Sequence, residues 1–516
     1  MKLIVVIFFC CFTLLGFGQG NGNGLENPKT GKSFTTQRKS NFSGFIGRSE
    51  NTIFLVDYLA INRKKQELML RRIDANSLEL IDSKDLFSVL NEDFYNEPNE
   101  IFYQNNTIYL FSTVSGLKDK FNMIHLEIFN EYGEKINERI LDTLEIDEKY
   151  YISESIEEDG FLVVTHNKFL ANFEQTIGLQ TIEGTGEKGW RTILQSPNLM
   201  QSLTIEEVRY SKNAPLFILC DYGYEAGSRS VRENNTDLIN SKYSLWGYDH
   251  KKPFLKEFDL RLKNRWINGI SMDYNSRKEL VISGFMNETR NQTINGVFSL
   301  KIGSRLQLVG TSYYKYKRSF FEKFVDAKRL DKTKELENIQ LRQLIILGDD
   351  SYFVIGEHFY QVTERNYDPR TNITTTTENY NYNSIIAAYF DENGSHLWSD
   401  RIPKFQHTVN DYGYFSSFSA MKSNNQVYLF FNDSERNNEL SVNDYFNYTT
   451  MSNNRRFQIS YVQIAQDGVK ARGPLINGDN NFMLRARLNY QIDPETFYLY
   501  GEIGKSRKVF SVTAEK

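Results

Sequence analysis

Short apolar runs, most of them introduced by a polar turn, recur along the whole chain. The runs are rich in β-branched and aromatic residues and lack the polar alternation of half-buried strands. This pattern is typical of strands buried on both faces, so we predict a central strand of a small sheet at each run. The eight runs are Asn51–Val56, Asn106–Phe111, Asp159–Val164, Leu216–Leu219, Leu280–Ile282, Tyr352–Ile355, Val427–Phe430 and Phe497–Tyr500.

A turn built on Asp, Asn or Gly follows each of the first seven runs, after one further predicted strand. The first of these turns is Asp74–Asn76 and the last is Gln466–Gly468. Turns of this composition join antiparallel strands into hairpins. Runs and turns together define a unit of about 54 residues, a length that suits a four-stranded sheet repeated around an axis.

The eighth unit is incomplete, because the chain ends soon after its third predicted strand, Val509–Thr513. The segment Ser33–Arg38 lies upstream of the first unit and could supply the missing strand, which would remove an open sheet edge. Over residues 33–516 the chain therefore resembles the β-propeller superfamily. The resemblance implies an all-β fold, a single eight-bladed propeller closed by pairing of an N-terminal strand with the C-terminal blade, with seven blades as the alternative.

The resemblance to cofactor-binding propellers is weaker. The segments Phe390–Trp398 and Gly189–Trp190 look like the Gly-to-Trp hairpins that quinoprotein propellers repeat in every blade, but here the pattern occurs at most twice. We therefore predict no cofactor.

The N-terminus has the features of an export signal. Lys2 precedes the apolar run Leu3–Leu15, and small residues occupy the positions that a signal peptidase reads in Gly16–Gly18. We predict a signal peptide over residues 1–18, a flexible Gly- and Asn-rich leader over 19–33, and the propeller over 34–516. Cleavage would remove Cys10 and Cys11 and leave Cys220 without a disulfide partner.

Composition and charge narrow the classes of partner. The chain has 61 Lys and Arg against 65 Asp and Glu, a formal net charge of −4. It contains no basic block, so nucleic-acid binding is not expected. The apolar run of the signal is too short for a membrane-spanning helix, and no other stretch approaches that length. We expect a periplasmic or outer-membrane-associated protein, or alternatively an extracellular one.

Four places depart from the constant unit length and predict long additions. Three of them, about 222–242, 359–382 and 432–456, fall between the second and third strands of a unit, and the fourth, about 312–338, joins two units. In an up-and-down blade both kinds of connection emerge at the same rim, so we expect all four on one face. Long loops on a rigid scaffold are common binding sites.

The additions predict the candidate binding residues. Within 312–338, Phe320, Phe321, Phe324 and Val325 have helical spacing in a predicted amphipathic helix, Ser319–Glu337, and its phenylalanines are expected to pack on the propeller. Within 359–382 we expect a hairpin that projects beyond the disc. Aromatic residues suit protein contacts because they supply a large contact area and lose little conformational entropy when they are ordered. The predicted partner-binding residues are Tyr367, Tyr380, Tyr382, Tyr445, Phe446 and Tyr448.

No catalytic or metal-binding motif is present. The six histidines do not pair at metal-ligand spacing, and neither a nucleophile elbow nor a P-loop occurs. His166, Asp221, Glu357 and His358 follow central strands and could supply acid-base chemistry near the axis. The pattern favours a non-enzymatic scaffold or binding subunit of the bacterial envelope, such as an accessory of an outer-membrane transport or secretion complex. A glycan-binding or glycan-cleaving propeller is the alternative.

Overall fold

The computed structural model of the chain is built almost entirely from β-strands. It describes residues 24–515 except 37–40, 63–64, 87–93, 117–120, 146–147, 168–175, 196–201, 224–242, 261, 263–264, 289–292, 326, 331, 424, 452–456, 477–481, 489 and 492–494. The predicted signal peptide and most of the 222–242 addition therefore lie outside the described residues.

The strands are numbered in the order in which they follow one another along the chain. The first half contains β1 (Lys29–Thr30), β2 (Phe34–Thr35), β3 (Asn41–Arg48), β4 (Thr52–Asn62), β5 (Lys65–Asp74), β6 (Leu80–Asp85), β7 (Phe94–Gln104), β8 (Thr107–Gly116), β9 (Phe121–Asn130), β10 (Lys135–Glu145), β11 (Glu148–Glu154), β12 (Gly160–Asn167), β13 (Thr176–Glu183), β14 (Lys188–Gln195), β15 (Ser202–Arg209), β16 (Leu216–Gly223), β17 (Tyr243–Asp249) and β18 (Phe254–Asp259). The second half contains β19 (Trp266–Tyr274), β20 (Leu280–Asn287), β21 (Gly296–Ile302), β22 (Leu308–Lys315), β23 (Ile339–Ile346), β24 (Tyr352–Asp368), β25 (Ile373–Phe390), β26 (His396–Ile402), β27 (Gln406–Val409), β28 (Ser419–Ser423), β29 (Gln426–Ser434), β30 (Phe457–Ala465), β31 (Gly468–Ile476), β32 (Met483–Leu484), β33 (Tyr490–Gln491), β34 (Thr496–Ile503) and β35 (Ser506–Thr513).

The strands form repeated four-stranded antiparallel sheets, an arrangement consistent with a β-propeller. Among the described residues there are eight sheets, which we number 1 to 8 from β3–β6 to the sheet that contains β34 and β35. Each of the eight predicted runs lies in the second strand of its sheet, and every residue of β20 is buried. Each of the seven predicted turns joins a third strand to a fourth. Burial on both faces explains why these runs lack polar alternation.

The N-terminal segment pairs with the last strand of the chain, as the incomplete eighth unit predicted. Phe34 and Thr35 of β2 lie opposite Arg507 and Ser506 of β35. An additional strand, β1, pairs with β35 at Ser511 and Phe510. Sheet 8 therefore takes its outermost strand from the other end of the chain.

The predicted flexible leader extends too far along the chain. From Gly24 onward the segment is ordered against sheet 8: the amide of Glu26 donates to the carbonyl of Thr513 at 2.9 Å, and Leu25 is buried. The Gly and Asn content suggested flexibility, but the free edge of β35 satisfies the backbone of residues 24–33. The leader prediction is therefore wrong for these ten residues.

Apolar side chains form eight buried clusters among the described residues, and each cluster is shared by two sheets. Seven of them join sheets that are consecutive in the chain. The remaining cluster joins the two ends: Phe45 and Ile53 of sheet 1 pack with Tyr498 and Tyr500 of sheet 8. The core is thus distributed between the sheets rather than concentrated in one place.

A β-bulge recurs in the first strand of several sheets. In β23 the register passes from Leu341 opposite Gly356 to Gln343 opposite Ile355, which leaves Arg342 as the extra residue. Similar irregularities occur in β3, β7, β15 and β19. A bulge redirects the extra side chain out of the normal alternation, so these strands can aim a polar residue away from the sheet plane.

The additions differ in structure. The 359–382 addition prolongs β24 and β25 into a hairpin that pairs as far as Asp368 opposite Ile373, as predicted. The helix predicted over Ser319–Glu337 is replaced by two single turns, α1 (Arg318–Phe321) and α2 (Ala327–Leu330). Phe320 and Phe321 are buried against sheets 5 and 6, and Phe320 stacks on Tyr316 at 3.9 Å. These contacts hold the segment in place, since single helical turns are not stable on their own. The 432–456 addition contains a 3₁₀ turn, Glu435–Asn437.

Candidate functional site

A cavity of about 230 Å³ lies where the first strands of sheets 6, 7 and 8 approach one another. Its wall combines two arginines with hydroxyl, amide and apolar groups. The lining residues are Arg342 and Gln343 of β23, Ser417 to Ala420 at the start of β28, Ala486 and Arg487 after β32, and Phe497 of β34. We call it the Arg342–Arg487 cavity.

Arg342 reaches the cavity because it is the extra residue of the β23 bulge. Its Nε donates to Oε2 of Glu357 at 2.8 Å, and the Glu357 side chain is completely buried. The hydroxyl of Ser417 also donates to Oε2 of Glu357, at 2.8 Å. Glu357 therefore fixes the position of the Arg342 guanidinium beside the cavity.

The second cation paired with Glu357 is Lys404, whose Nζ lies 2.8 Å from Oε1 of the carboxylate. Lys404 has no exposed surface, and its ammonium also donates to the carbonyl of Tyr382 at 3.0 Å and to Oε1 of Gln406 at 2.9 Å. Burial lowers the pKa of Lys404, while the adjacent Glu357 carboxylate acts in the opposite direction. The ion pair and these two hydrogen bonds together hold the ammonium, so the network anchors the segment that follows β26.

Arg487 forms the opposite side of the cavity. Its Nη2 donates to the hydroxyl of Tyr382 at 2.7 Å and to the carbonyl of Gly413 at 2.8 Å. Gly413 has a φ of 65°, and a Cβ at this position would collide with the Tyr382 ring. A glycine is required here because it combines a left-handed backbone with this close approach.

Tyr382 is close to both arginines. Its ring centroid is 5.8 Å from the guanidinium carbon of Arg342 and 5.0 Å from that of Arg487. Burial raises the pKa of Tyr382, and the two guanidinium groups act against that rise. The side chain is 3% exposed. Tyr382 therefore positions the cavity arginines instead of being presented to a partner.

The other predicted binding residues fall into two groups. Tyr367 and Phe446 are exposed, at 60% and 57%, and Tyr445 is half-buried with its hydroxyl 3.1 Å from Oδ1 of Asp400. Tyr380 and Tyr448 are buried, at 5% and 8%. Direct contact with a partner requires an exposed side chain, a condition that Tyr380, Tyr382 and Tyr448 do not meet. Each packs on a neighbouring segment: Tyr380 on Tyr412, Tyr382 on the arginines, and Tyr448 under Arg472.

Two of the additions meet at Arg401, at the end of β26. The Arg401 guanidinium lies 5.0 Å from the ring centroid of Phe324 in the 312–338 addition. It lies 5.9 Å and 5.6 Å from those of Tyr445 and Phe446 in the 432–456 addition. Burial lowers the pKa of Arg401 to about 10. Cation–π contacts to a desolvated guanidinium are among the stronger ones, so Arg401 ties the two additions together.

The residues considered for acid-base chemistry lie on different sheets. His166 and Asp221 are buried on second strands of sheets 3 and 4, and Glu357 and His358 are on sheet 6. Burial, followed by the nearby Arg401, lowers the pKa of His358 to about 4. Glu357 is held by Arg342 and Lys404 instead of facing the cavity as a free acid.

Two further observations concern metals and membranes. Over the described ranges, no group of three or more His, Cys, Asp or Glu side chains is placed to hold a metal ion. In that same part of the chain, no helix has the length and apolarity needed to cross a membrane. Cys220 is buried, and burial raises the pKa of its thiol.

The comparisons with known proteins identify distant structural similarity only. No protein-family model matches the chain, and no curated protein matches it. A polysaccharide lyase, Uly1, is similar at a TM-score of 0.37 and 8% identity, covering 95% of this chain and 100% of that one. The WD40 domain of SCAP from fission yeast has a TM-score of 0.39 and 10% identity, with 94% and 98% covered. Quinohemoprotein alcohol dehydrogenase from Comamonas testosteroni has a TM-score of 0.39 and 8% identity, with 96% and 77% covered. The propeller assignment therefore rests on the sheets of the chain itself.

Proposed function

We propose that this protein is a non-enzymatic, exported β-propeller that docks to another protein of the bacterial envelope through the face that carries the additions. The docking element is the outer half of the β24–β25 hairpin, which we define as residues 361–376. A subunit that accompanies an outer-membrane transport or secretion complex fits this role. The export signal at residues 1–18 supports a periplasmic or outer-membrane-associated location, with release from the cell as the alternative.

One observation carries the proposal: the outer half buries almost nothing against its own chain. Residues Gln361 to Asp368 and Ile373 to Thr376 are all exposed. They include three apolar side chains, Val362, Tyr367 and Ile373, at 42%, 60% and 58% exposure. An isolated two-stranded hairpin is only marginally stable in water. A partner surface that covers these side chains would stabilise it.

The edge of the hairpin offers a second means of contact. The pairing of β23 with β24 begins at Ile339 opposite His358. Among the described residues, β24 has no second neighbour from Tyr360 to Asp368. A row of unpaired backbone groups can accept an added strand, and this is a recurrent mode of peptide recognition.

The base of the hairpin is braced, so the outer half is presented on a firm support. The short strand β27 pairs with β25 at residues Asn379 to Tyr382. His407 of β27 lies 3.1 Å from Oδ1 of Asn379. Presentation from a fixed base lowers the ordering cost of binding.

The proposal includes a closed ring, in which the eight sheets are eight blades. The cluster that joins sheet 8 to sheet 1, and the pairing of β1 and β2 with β35, support it. Glycan cleavage is not included, because its candidate acid Glu357 is buried and paired with two cations.

The experiment is recovery of partners from detergent-solubilised envelopes by the full-length protein and a shortened variant. In the variant, Asn-Gly replaces residues 363–378, which keeps Val362 opposite Asn379 and closes the hairpin with a two-residue turn. The matched control is Ile136→Ala, a residue 62% exposed on β10. We expect the wild type and the control to recover the same protein in a complex larger than the monomer, and the shortened variant to lose it. Recovery by all three, or a monomer in every case, would contradict the proposal.

A further inference from the structure

The Arg342–Arg487 cavity has unused hydrogen-bond donors on two sides. Glu357 occupies only the Nε of Arg342, and the hydrogen bonds of Arg487 all come from its Nη2. Within the described part of the chain, the remaining guanidinium N–H groups of both arginines have no acceptor. An arginine fork with free donors is suited to binding an anion.

The charge balance around the cavity also favours an anion. Two cations, Arg342 and Arg487, line it, and Glu357, which pairs with Arg342, is already shared with the buried Lys404. Arg487 forms no ion pair with any described residue, although it lines the cavity. An anion placed between the guanidinium groups would offset this excess of positive charge.

The rest of the wall indicates which anion fits. Phe418, Ala420, Ala486 and Phe497 form an apolar surface. Phosphate presents polar oxygens in every direction, so an apolar wall would desolvate some of them without compensation. A carboxylate concentrates its charge at one end and can leave an apolar body against the phenylalanines.

The volume limits the size of the ligand. At about 230 Å³, the cavity is smaller than the sites of about 300–1,000 Å³ that hold drug-sized molecules. A body of a few heavy atoms fits, and an extended chain does not. We propose that the cavity is a binding site for a compact carboxylic acid, with the carboxylate between Arg342 and Arg487 and the apolar body against Phe418 and Phe497.

This site is independent of the docking proposal, because none of the cavity residues belongs to the outer half of the hairpin. The acid would bind to the shortened variant as it does to the full-length protein. The failure of one proposal would therefore leave the other untouched.

Titration calorimetry with the full-length protein tests the site with four probes. Isobutyrate is the compact acid, isobutyramide is its neutral counterpart, inorganic phosphate is the alternative anion, and N-acetyl-Gly-Val with a free carboxylate represents a polypeptide terminus. We expect isobutyrate to bind at millimolar or lower concentration and isobutyramide to bind at least tenfold more weakly. Phosphate and the peptide should also bind more weakly than isobutyrate.

Three variants locate the binding. Arg487→Gln removes an exposed guanidinium and should weaken isobutyrate binding about tenfold or more, because charge-assisted hydrogen bonds are lost. Gln343→Trp fills the cavity from an exposed position without changing charge, and should abolish binding. Arg305→Gln makes the same charge change in the exposed turn between β21 and β22, and should leave the affinity within twofold of wild type.

Several results would overturn the proposal. The first is that isobutyrate does not bind at concentrations up to 50 mM, which corresponds to a binding free energy weaker than about 2 kcal/mol. The others are that isobutyramide binds as tightly as isobutyrate, or that phosphate or the peptide binds more tightly. Unchanged affinity in both Arg487→Gln and Gln343→Trp would also overturn it. Circular dichroism and melting curves of each variant confirm that the comparison is made between folded proteins.

Discussion

The two halves of the β24–β25 hairpin share their strands and their backbone pairing, but almost nothing else. The inner half, Tyr352 to Glu357 with Ile385 to Phe390, is completely buried between neighbouring sheets. The outer half continues the same ladder, with every residue from Gln361 to Asp368 exposed. Backbone hydrogen bonds are therefore common to both halves, and burial of apolar surface distinguishes them.

The stability of the fold and the proposed function therefore depend on different halves of the hairpin. Burial supplies most of the free energy of folding, so the inner half should tolerate few changes. The outer half contributes little burial and can change without unfolding the protein. Its apolar residues gain a physical role only when another molecule covers them.

The largest expected effect is in the inner half. Phe353 has no exposed surface, and Phe353→Ala should lower the free energy of unfolding by about 3–5 kcal/mol through lost burial and a residual cavity. The matched change on the same strand, Val362→Ala in the outer half, should cost less than about 0.5 kcal/mol. Denaturant titration of both variants measures the contrast. Similar losses at the two positions would mean that the halves do not differ in this way.

The next effect concerns the buried charges at the boundary between the halves. Glu357→Gln leaves the ammonium of Lys404 buried without its carboxylate and should cost about 3 kcal/mol. The double variant Glu357→Gln/Lys404→Met removes both charges. It should be more stable than the sum of the single changes by about 1–3 kcal/mol. Additive losses would show that the pair is not coupled.

A smaller loss of stability is expected at Gly413, whose carbonyl accepts a hydrogen bond from Arg487. Gly413→Ala forces a left-handed alanine against the Tyr382 ring and should cost about 2 kcal/mol. Gly504 also has a positive φ, 56°, but open space around its Cβ direction. Gly504→Ala should therefore cost only about 1 kcal/mol. If the two substitutions are equally costly, the close approach to Tyr382 is not what requires Gly413.

The last effect is a pH dependence at the junction of the halves. The pKa of His358 is lowered to about 4 by burial, from an ordinary value of about 6.5. Between these values the unfolded chain binds a proton that the folded protein does not, so stability falls as the pH is lowered through that window. His358→Phe should lose less stability than wild type between pH 7 and pH 4.5. Equal losses in the two proteins would exclude His358 as the source.

Much of the fold could be predicted from the sequence, because a strand that is buried on both faces appears in the sequence as a continuous apolar run. A run such as Tyr352–Ile355 contains no charged or amide side chain, and the incomplete eighth unit required a strand from the N-terminus. The order of residues 24–33 is not visible in the sequence because backbone pairing to β35 needs no particular side chain.

The candidate site has no comparable pattern in the sequence. Arg342 reaches the cavity through a bulge, and the sequence of β23 does not show which residue is the extra one. Arg487 comes into position through the carbonyl of Gly413 and the hydroxyl of Tyr382, which lie far from it in the chain. The sequence favours Tyr382 as a binding residue only because it is aromatic, whereas its support of two arginines depends on contacts between sheets.

The most direct test of the docking account compares two tyrosines of equal exposure. Tyr367 in the outer half and Tyr132 in the turn between β9 and β10 are both 60% exposed. A photo-crosslinking amino acid would replace each in turn, and intact cells would be irradiated before the products are identified by mass spectrometry. The account predicts one discrete crosslinked envelope protein at position 367 and none at 132. The same products at both positions, or none at 367, would contradict it.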